Sequence, residues 1–494
     1  MKVVLINPPQ VFSKIMASAG VSPPLGLLYL AAFLKHSRHD TIVIDSVAEG
    51  VKNIYDVHKD VSCRGLSFND IVARIPIDTA LIGITNLFSF SFPVVRELTI
   101  AIKKIFPDIP IVVGGAHPSG TPVKTISESS IDFVVLSEGE ETVVELLNNL
   151  EDYGAIKKID GLAYKDEWGK PCVSPKTKFI EDLDNLPFPA RELISIEKYY
   201  EIGEGHGPRQ KKYTPILSSR GCPYQCTFCT PKLWNRRYRV RSAENIVSEI
   251  EECIIKYDIR EFQFEDENLT VDKKRTIEIC KNIINKNLNI RWQTPNGIRA
   301  SVTDNEMLDL MKESGCHHIT VAPESGSQRV LNEIINKKQE LSKVTEVVEY
   351  ASRIGMKTAA YFVLGLPGEK FEEAEMSIEY ACNLAKIGLD EVAFSTFIPL
   401  PGSELYDQLV KKGKFNTDWT SLISIDDLSK IVSWSEHIPS KKLMGLKRKA
   451  FLKFYLIKLI YHPLKILRSI VNIIRKTQEL KTERSVIAFI KRFG

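Results

Sequence analysis

The chain has 494 residues, a net charge of +4, 44% apolar residues and 26% charged residues. This mix excludes a disordered or fibrous chain, and the length suggests about three globular domains. The near-balanced charge predicts no nucleic-acid partner, and nine cysteines, sparse and odd in number, exclude a secreted disulfide framework. Met1-Lys2 precedes only a short apolar run to Asn7-Pro8-Pro9, so no signal peptide is expected. No uncharged apolar run reaches about 18 residues, so no spanning helix is expected and a reducing cytoplasm is the expected compartment.

Residues 1–150 alternate apolar runs with helical patterns. Strands are predicted at Lys2–Asn7, Thr41–Asp45, Leu81–Thr85, Ile111–Gly114 and Phe133–Leu136, and helices at Leu25–His36, Pro93–Ile105 and Glu141–Leu150. Continuous apolar strands alternating with helices predict a Rossmann-like, doubly wound parallel sheet. Ligands of such sheets bind at the carboxyl ends of the strands. Asn7-Pro8-Pro9, Gly114-Gly115-Ala116-His117 and Ser137-Glu138-Gly139-Glu140 fall there.

Residues 151–213 read as a small hairpin, Gly161–Tyr164 with Pro171–Ser174, and a linker whose Asp182–Pro189 stretch is extended by its prolines. From 214 to 404 the β/α rhythm returns. Strands are predicted at Thr214–Ser218, Glu261–Glu265, Asn289–Thr294, His318–Ala322, Thr358–Leu364 and Glu391–Phe397. Six βα units predict a partial barrel with its functional face at the strand carboxyl ends.

After the first of these strands comes Ser219-Arg220-Gly221-Cys222-Pro223-Tyr224-Gln225-Cys226-Thr227-Phe228-Cys229. Three thiolates on one loop suit three irons of a [4Fe-4S] cluster and leave the fourth iron open to an external chelator. A zinc site completed by a remote Cys or His would use the same triplet.

Residues 405–494 read as helical and basic. Between Lys441 and Lys476 there are eleven Lys or Arg and no Asp or Glu. Residues 464–476 are amphipathic, with a wide apolar face between cationic flanks. Two readings stand: a helix packed on the barrel with a solvated basic face, or peripheral contact with the inner face of a membrane through 441–476.

The cysteine triplet, with Phe228 before its third member, resembles the cluster loop of the radical S-adenosylmethionine (SAM) superfamily. Ala322-Pro323-Glu324-Ser325-Gly326-Ser327, Gly365-Leu366-Pro367-Gly368-Glu369 and Phe397–Ser403 resemble its fourth-, fifth- and sixth-strand motifs. Glu265-Asp266-Glu267-Asn268 departs from the Gly-Gly-Glu that follows its second strand. Residues 1–150, with Asn7-Pro8-Pro9, Ser22–Gly26, Gly114–Pro118 and Ser137–Glu141, resemble the cobalamin-binding domain of one subfamily. Many cobalamin domains supply a cobalt-ligating His from Asp-x-His-x-x-Gly, which the radical subfamily often lacks. Asp56-Val57-His58 is the near match, but it lacks the glycine and follows the second strand; His117 reads as a loop residue.

The resemblance implies Cys222, Cys226 and Cys229 as cluster ligands. It implies SAM contacts from Phe228, Glu324, Ser325, Gly326 and Gly365, and approach of the corrinoid at Gly114, Gly115 and Gly139. It implies a 5′-deoxyadenosyl radical, an electron from a flavodoxin or ferredoxin, and cobalamin-dependent methylation of an unactivated carbon in a small-molecule substrate: lipid-like, tetrapyrrole-like or a secondary metabolite. Radical cyclisation or rearrangement without methyl transfer, and a non-catalytic cofactor sensor, are the alternatives. No catalytic side chain beyond the cofactor contacts is singled out.

Overall fold

The computed structural model describes residues 1–14, 20–58, 60–208, 212–415 and 431–493. Lys59 and residues 416–430 of the C-terminal region lie outside the described residues.

The first half contains β1 (Lys2–Asn7), β2 (Gln10–Ser13), β3 (Asp40–Asp45), β4 (Ile54–His58), β5 (Val61–Arg64), β6 (Leu81–Thr85), β7 (Ile111–Gly114), β8 (Phe133–Val135), β9 (Leu162–Lys165) and β10 (Pro171–Val173). β8, β7, β6, β1 and β3 pair in parallel in that order, each where an apolar run predicts it. Successive β1 residues serve opposite faces. Val4 and Ile6 join the core with helix Phe92–Ile105, while Val3 and Leu5 join the core with helices Leu25–His36 and Glu140–Asn148. A strand apolar on both sides is what two helical layers demand.

The hairpin does more than lead into the linker. β9 pairs antiparallel with β8 and β10 with β9, so the sheet has seven strands and runs past the boundary expected at residue 150. A hairpin added at an edge brings no helix and leaves no β/α rhythm to read. The antiparallel sheet β2-β5-β4 is absent from the sequence reading for a related reason. β4 is almost wholly exposed and lacks the apolar alternation that reveals a strand.

The second half contains β11 (Tyr213–Ile216), β12 (Ser219–Arg220), β13 (Arg239–Val240), β14 (Glu261–Phe264), β15 (Arg291–Ile298), β16 (Cys316–Glu324), β17 (Lys357–Leu364) and β18 (Glu391–Thr396). β11 and β14 to β18 form a six-stranded parallel sheet in chain order, the partial barrel expected. Phe262, Trp292, Val321 and Phe362 seal its strands against helices through Ile246, Met307 and Val347. β12 and β13 pair antiparallel and bracket the cysteine-bearing loop. Helices Ser440–Tyr461, Pro463–Arg475 and Lys481–Phe493 close the chain, the first adding Leu443, Ala450 and Phe454 to the barrel core.

Linker and barrel are fastened by a buried triad. Arg191 donates to Glu249 at 2.6 Å, to Thr214 Oγ1 at 3.0 Å and to Pro215 O at 2.9 Å, and Arg241 donates to the other Glu249 oxygen. Burial pushes the Glu249 carboxyl up, but Arg191 and Arg241 outweigh it and hold it below the usual range. Removing that carboxylate leaves two buried cations unpaired. Glu249→Ala is expected to destabilise the fold by about 3–5 kcal/mol in urea titrations followed by circular dichroism, against less than about 1 kcal/mol for the surface change Glu346→Ala.

Candidate active site between two strand-end faces

The loop from Gly221 to Tyr238 leaves the barrel at the carboxyl end of β11. Gly221 has φ 87°, and a side chain there would collide with the Arg237 carbonyl. The loop is tied from several sides. Thr227 N–H donates to Ile335 O at 2.9 Å and its hydroxyl to Ile334 O at 2.6 Å, while Leu405 N–H donates to Thr227 O at 3.0 Å. Cys229 N–H closes a turn on Cys226 O at 3.2 Å. Phe228 and Cys226 pack against an apolar cluster containing Val330, Leu331, Leu366 and Phe397.

Cys222 and Cys226 are half-buried, Cys229 is exposed, and none is in a disulfide. Burial pushes the Cys226 thiol up, and Lys337 and Arg299 pull against it. Arg299 also stacks on the ring of Tyr224, 3.6 Å from its centroid. Among the described residues, no three His, Cys, Asp or Glu side chains converge on one metal ion. A four-iron cube takes its thiolates at separate corners. Three free thiols on one fastened loop beside two cations fit that group.

The other strand ends surround this loop, and their carboxylates brace it. Asp266 is buried and accepts from Ser218 N–H at 3.2 Å, from the Ser218 hydroxyl at 2.6 Å and from the Ser219 hydroxyl. Glu267 accepts from Trp234 Nε1 at 2.7 Å and Gly221 N–H at 3.3 Å. Glu265 holds His206 Nδ1 at 2.8 Å. Glu324 ends β16 in the left-handed region, φ 65°, at a break in the β16–β17 register. Strained, non-glycine backbone of this kind gathers at functional sites. Its carboxylate is paired with Lys337 at 2.8 Å.

Ser325, Gly326 and Gly365 are placed by internal packing. Ser325 Oγ lies 3.2 Å from Ser377 Oγ and accepts from Ser327 N–H at 3.1 Å. A Cβ on Gly326 would strike the Met376 backbone, so the glycine lets the loop rest on helix Phe371–Lys386. Gly365 has φ 79°, would meet Leu443 at 2.7 Å, and donates its N–H to Glu369 at 2.6 Å.

The carboxyl ends of the first sheet face these loops. Arg220 donates to Glu138 at 2.8 Å and Glu140 at 2.6 Å, and Arg239 donates to Glu138 at 2.9 Å. Gly120 has no room for a side chain against Pro401, past the end of β18. Gly114 ends β7 with ordinary van der Waals room for a Cβ; Gly139 is tighter, 3.3 Å from Val135. Gly115 has φ 119° and lies against Asn86, whose carbonyl a Cβ would meet at 2.6 Å. On the same face Leu87 and Phe88 are exposed, and Asn86 Oδ1 is buried without a hydrogen-bond partner. An apolar rim, a glycine pair and an orphaned acceptor fit a corrinoid, whose ring is flat and whose edge carries amides.

His117 is buried, with Nδ1 2.9 Å from Ser89 Oγ and its ring against Phe92, and burial lowers it to about 3. His58 ends the exposed strand β4. The sequence reading missed Arg220, Arg239, Arg299 and Lys337, and also Leu87 and Phe88. Arg220, two residues before Cys222, carries the only such signal: a cation opposite the acidic Glu138–Glu141 run.

Residues 15–147 match the B12 binding domain, and residues 216–381 match the radical SAM superfamily. An uncharacterised methyltransferase of Pyrococcus horikoshii is 32% identical over 462 residues, 92% of this chain and 93% of that protein. The chain belongs to the radical SAM superfamily, in the group with a B12-binding domain. A second relative of this radical SAM enzyme is the cytidylyl-2-hydroxyethylphosphonate methyltransferase of Streptomyces wedmorensis, 32% identical over 79% of this chain and 78% of its own length. The fold is that of TsrM, a radical SAM methyltransferase from Kitasatospora setae solved with cobalamin and a [4Fe-4S] cluster. The TM-score is 0.65 at 18% identity, over 83% of this chain and 75% of that one. The cofactors of this enzyme are a [4Fe-4S] cluster, SAM and cobalamin.

Glu369 gives the fifth-strand motif a measurable titration. Burial pushes its carboxyl up to about 7, against the lowering effect of the Gly365 and Leu366 N–H groups; Glu373 raises it and Arg329 lowers it. The unfolded carboxyl releases its proton near 4.5 and the folded one near 7, so the fold binds one proton more in between. Stability therefore falls as pH rises through that window and is flat above it. Glu369→Gln is expected to remove a slope worth about 3 kcal/mol, seen by comparing urea midpoints of both proteins across that range.

Proposed function

We propose that this enzyme methylates an unactivated carbon by cobalamin-dependent radical chemistry. The observation that carries the reading is the meeting of the two strand-end faces: the loop bearing the three cysteines is bolted through Arg220 to Glu138 and Glu140, on the face that fits the corrinoid. Both relatives named above are methyltransferases. Reductive cleavage of SAM provides a 5′-deoxyadenosyl radical when the cluster is bound, and methylcobalamin provides a transferable methyl.

The chain's own residues supply position and charge. Cys222, Cys226 and Cys229 hold the cluster, and Arg299 and Lys337 offset the negative charge of thiolates in a low-dielectric site. Glu324 and Ser325 lie at the strand end where SAM is oriented, and Gly326 and Gly365 hold those loops close. Leu87 and Phe88 offer the corrinoid an apolar bed, and Gly114, Gly115 and Gly139 keep the surrounding rim low. A flavodoxin or ferredoxin delivers the electron from outside.

The test is anaerobic purification and reconstitution, followed by metal analysis and turnover. About four irons and one cobalt per chain are expected, with the iron lost in Cys226→Ala. In turnover, 5′-deoxyadenosine and S-adenosylhomocysteine are expected to accumulate together, about two SAM per methylated product. 5′-Deoxyadenosine without S-adenosylhomocysteine would point to cyclisation or rearrangement, neither product to a sensor, and zinc without iron would overturn the reading.

A further inference from the structure

We propose that the C-terminal helices dock the enzyme on an anionic lipid surface. Helix Pro463–Arg475 is built inside out. Two of its polar side chains turn to the protein: Lys465 donates to Gly388 O at 2.6 Å and pairs with Asp390 at 3.1 Å, and buried Asn472 donates to Glu483 at 3.1 Å. Four of its leucines and isoleucines turn away: Leu464, Leu467, Ile470 and Ile474 are 77%, 56%, 48% and 74% exposed. Their spacing places them on one stripe.

The neighbouring helices continue the pattern. Helix Ser440–Tyr461 buries Leu443, Ala450 and Phe454 against the barrel and leaves Leu452, Leu456 and Ile460 exposed. Helix Lys481–Phe493, packed on the second helix, leaves Phe489 exposed. An apolar surface spread over three consecutive helices marks a face that leaves water in use.

Charge decides what covers it. Lys449, Lys453, Arg475 and Lys476 are exposed among these side chains, and no acid interrupts the sequence from Lys441 to Lys476. Lysine is depleted from the cores of protein–protein interfaces, whereas at a bilayer its long stem lies along the apolar layer with the ammonium at the headgroups. Apolar stripe and unopposed cations together fit an anionic bilayer surface. Among the described residues no helix is long and apolar enough to cross a membrane, so the helices lie in the plane of the interface.

The test is co-sedimentation of the cofactor-loaded enzyme with vesicles of phosphatidylcholine alone or mixed with phosphatidylglycerol, alongside light scattering of the free enzyme. Binding to the mixed vesicles is expected, and Leu464→Glu combined with Ile474→Glu is expected to weaken it by about tenfold or more with an unchanged melting temperature and cobalt content. Equal binding by the variant, no binding by the parent enzyme, or a stable dimer that the variant dissolves would overturn the proposal. Iron and cobalt content report on the proposed chemistry separately from vesicle binding.

Discussion

Two guanidiniums face each other across a ribbon only two residues long on each strand, and a carboxylate from the other domain lies between them. Arg220 and Arg239 are direct cross-strand partners. Like charges in that position repel, and here both are almost fully buried. The arrangement holds because Glu138 bonds to both, with Glu140 completing the set on Arg220. Burial alone would push the Glu138 carboxyl up; Arg220 and Arg239 outweigh it and keep it ionised. A buried ion network of this kind contributes little net stability over an apolar packing of equal volume. What it fixes is geometry. The ribbon brackets the cysteine loop, so the B12-binding domain holds the base of that loop while barrel residues tie the rest of it.

The remaining strand-end loops are braced from behind in the same manner. Asp266 holds Ser218 and Ser219, Glu267 holds Gly221 and Trp234, and Glu369 holds Gly365 and Leu366. Asp266 and Glu267 reach across to the neighbouring cysteine-loop segment and Glu369 turns back on its own loop, and all three bond amide, hydroxyl or indole donors there. Rigid support of this sort cuts the ordering cost of binding large cofactors. It also explains why the acidic segment after β14 departs from the superfamily pattern without leaving a gap: its three carboxylates are already engaged with the cysteine loop and with His206.

The parallel strands were legible because both faces of each are buried, which writes a continuous apolar run into the sequence. The cysteine loop was legible because thiolate chemistry needs few residues at close spacing. The bolt between the domains was not, since Arg220 and Glu138 stand 82 residues apart and no periodicity links them. The motif glycines Gly115, Gly326 and Gly365 invite the idea of backbone approaching a ligand, yet each has a steric reason within the fold, in Asn86, Met376 and Leu443. A glycine in a strand-end loop reports close approach without naming the partner.

The C-terminal region shows why the sequence left two readings open there. The helix Phe371–Lys386 ends in carbonyls that its own turns cannot satisfy, followed by the short link to β18. Three donors from the tail meet this helix end and the link after it: His462 Nε2 lies 2.9 Å from Lys386 O on the helix, while Lys465 Nζ donates to Gly388 O at 2.6 Å and Lys458 Nζ donates to Asp390 O in the link. Cations suit the negative end of a helix, and burying Lys458 there lowers it to about 8. Once Lys465 is committed to that link, the register of helix Pro463–Arg475 is set, and the positions three and four residues apart from Leu464 must face outward. The need to cap one barrel helix thus turns the tail's apolar side to the surface. The basic residues that read as a solvated face are in part caps, and the apolar residues that read as core are the exposed side.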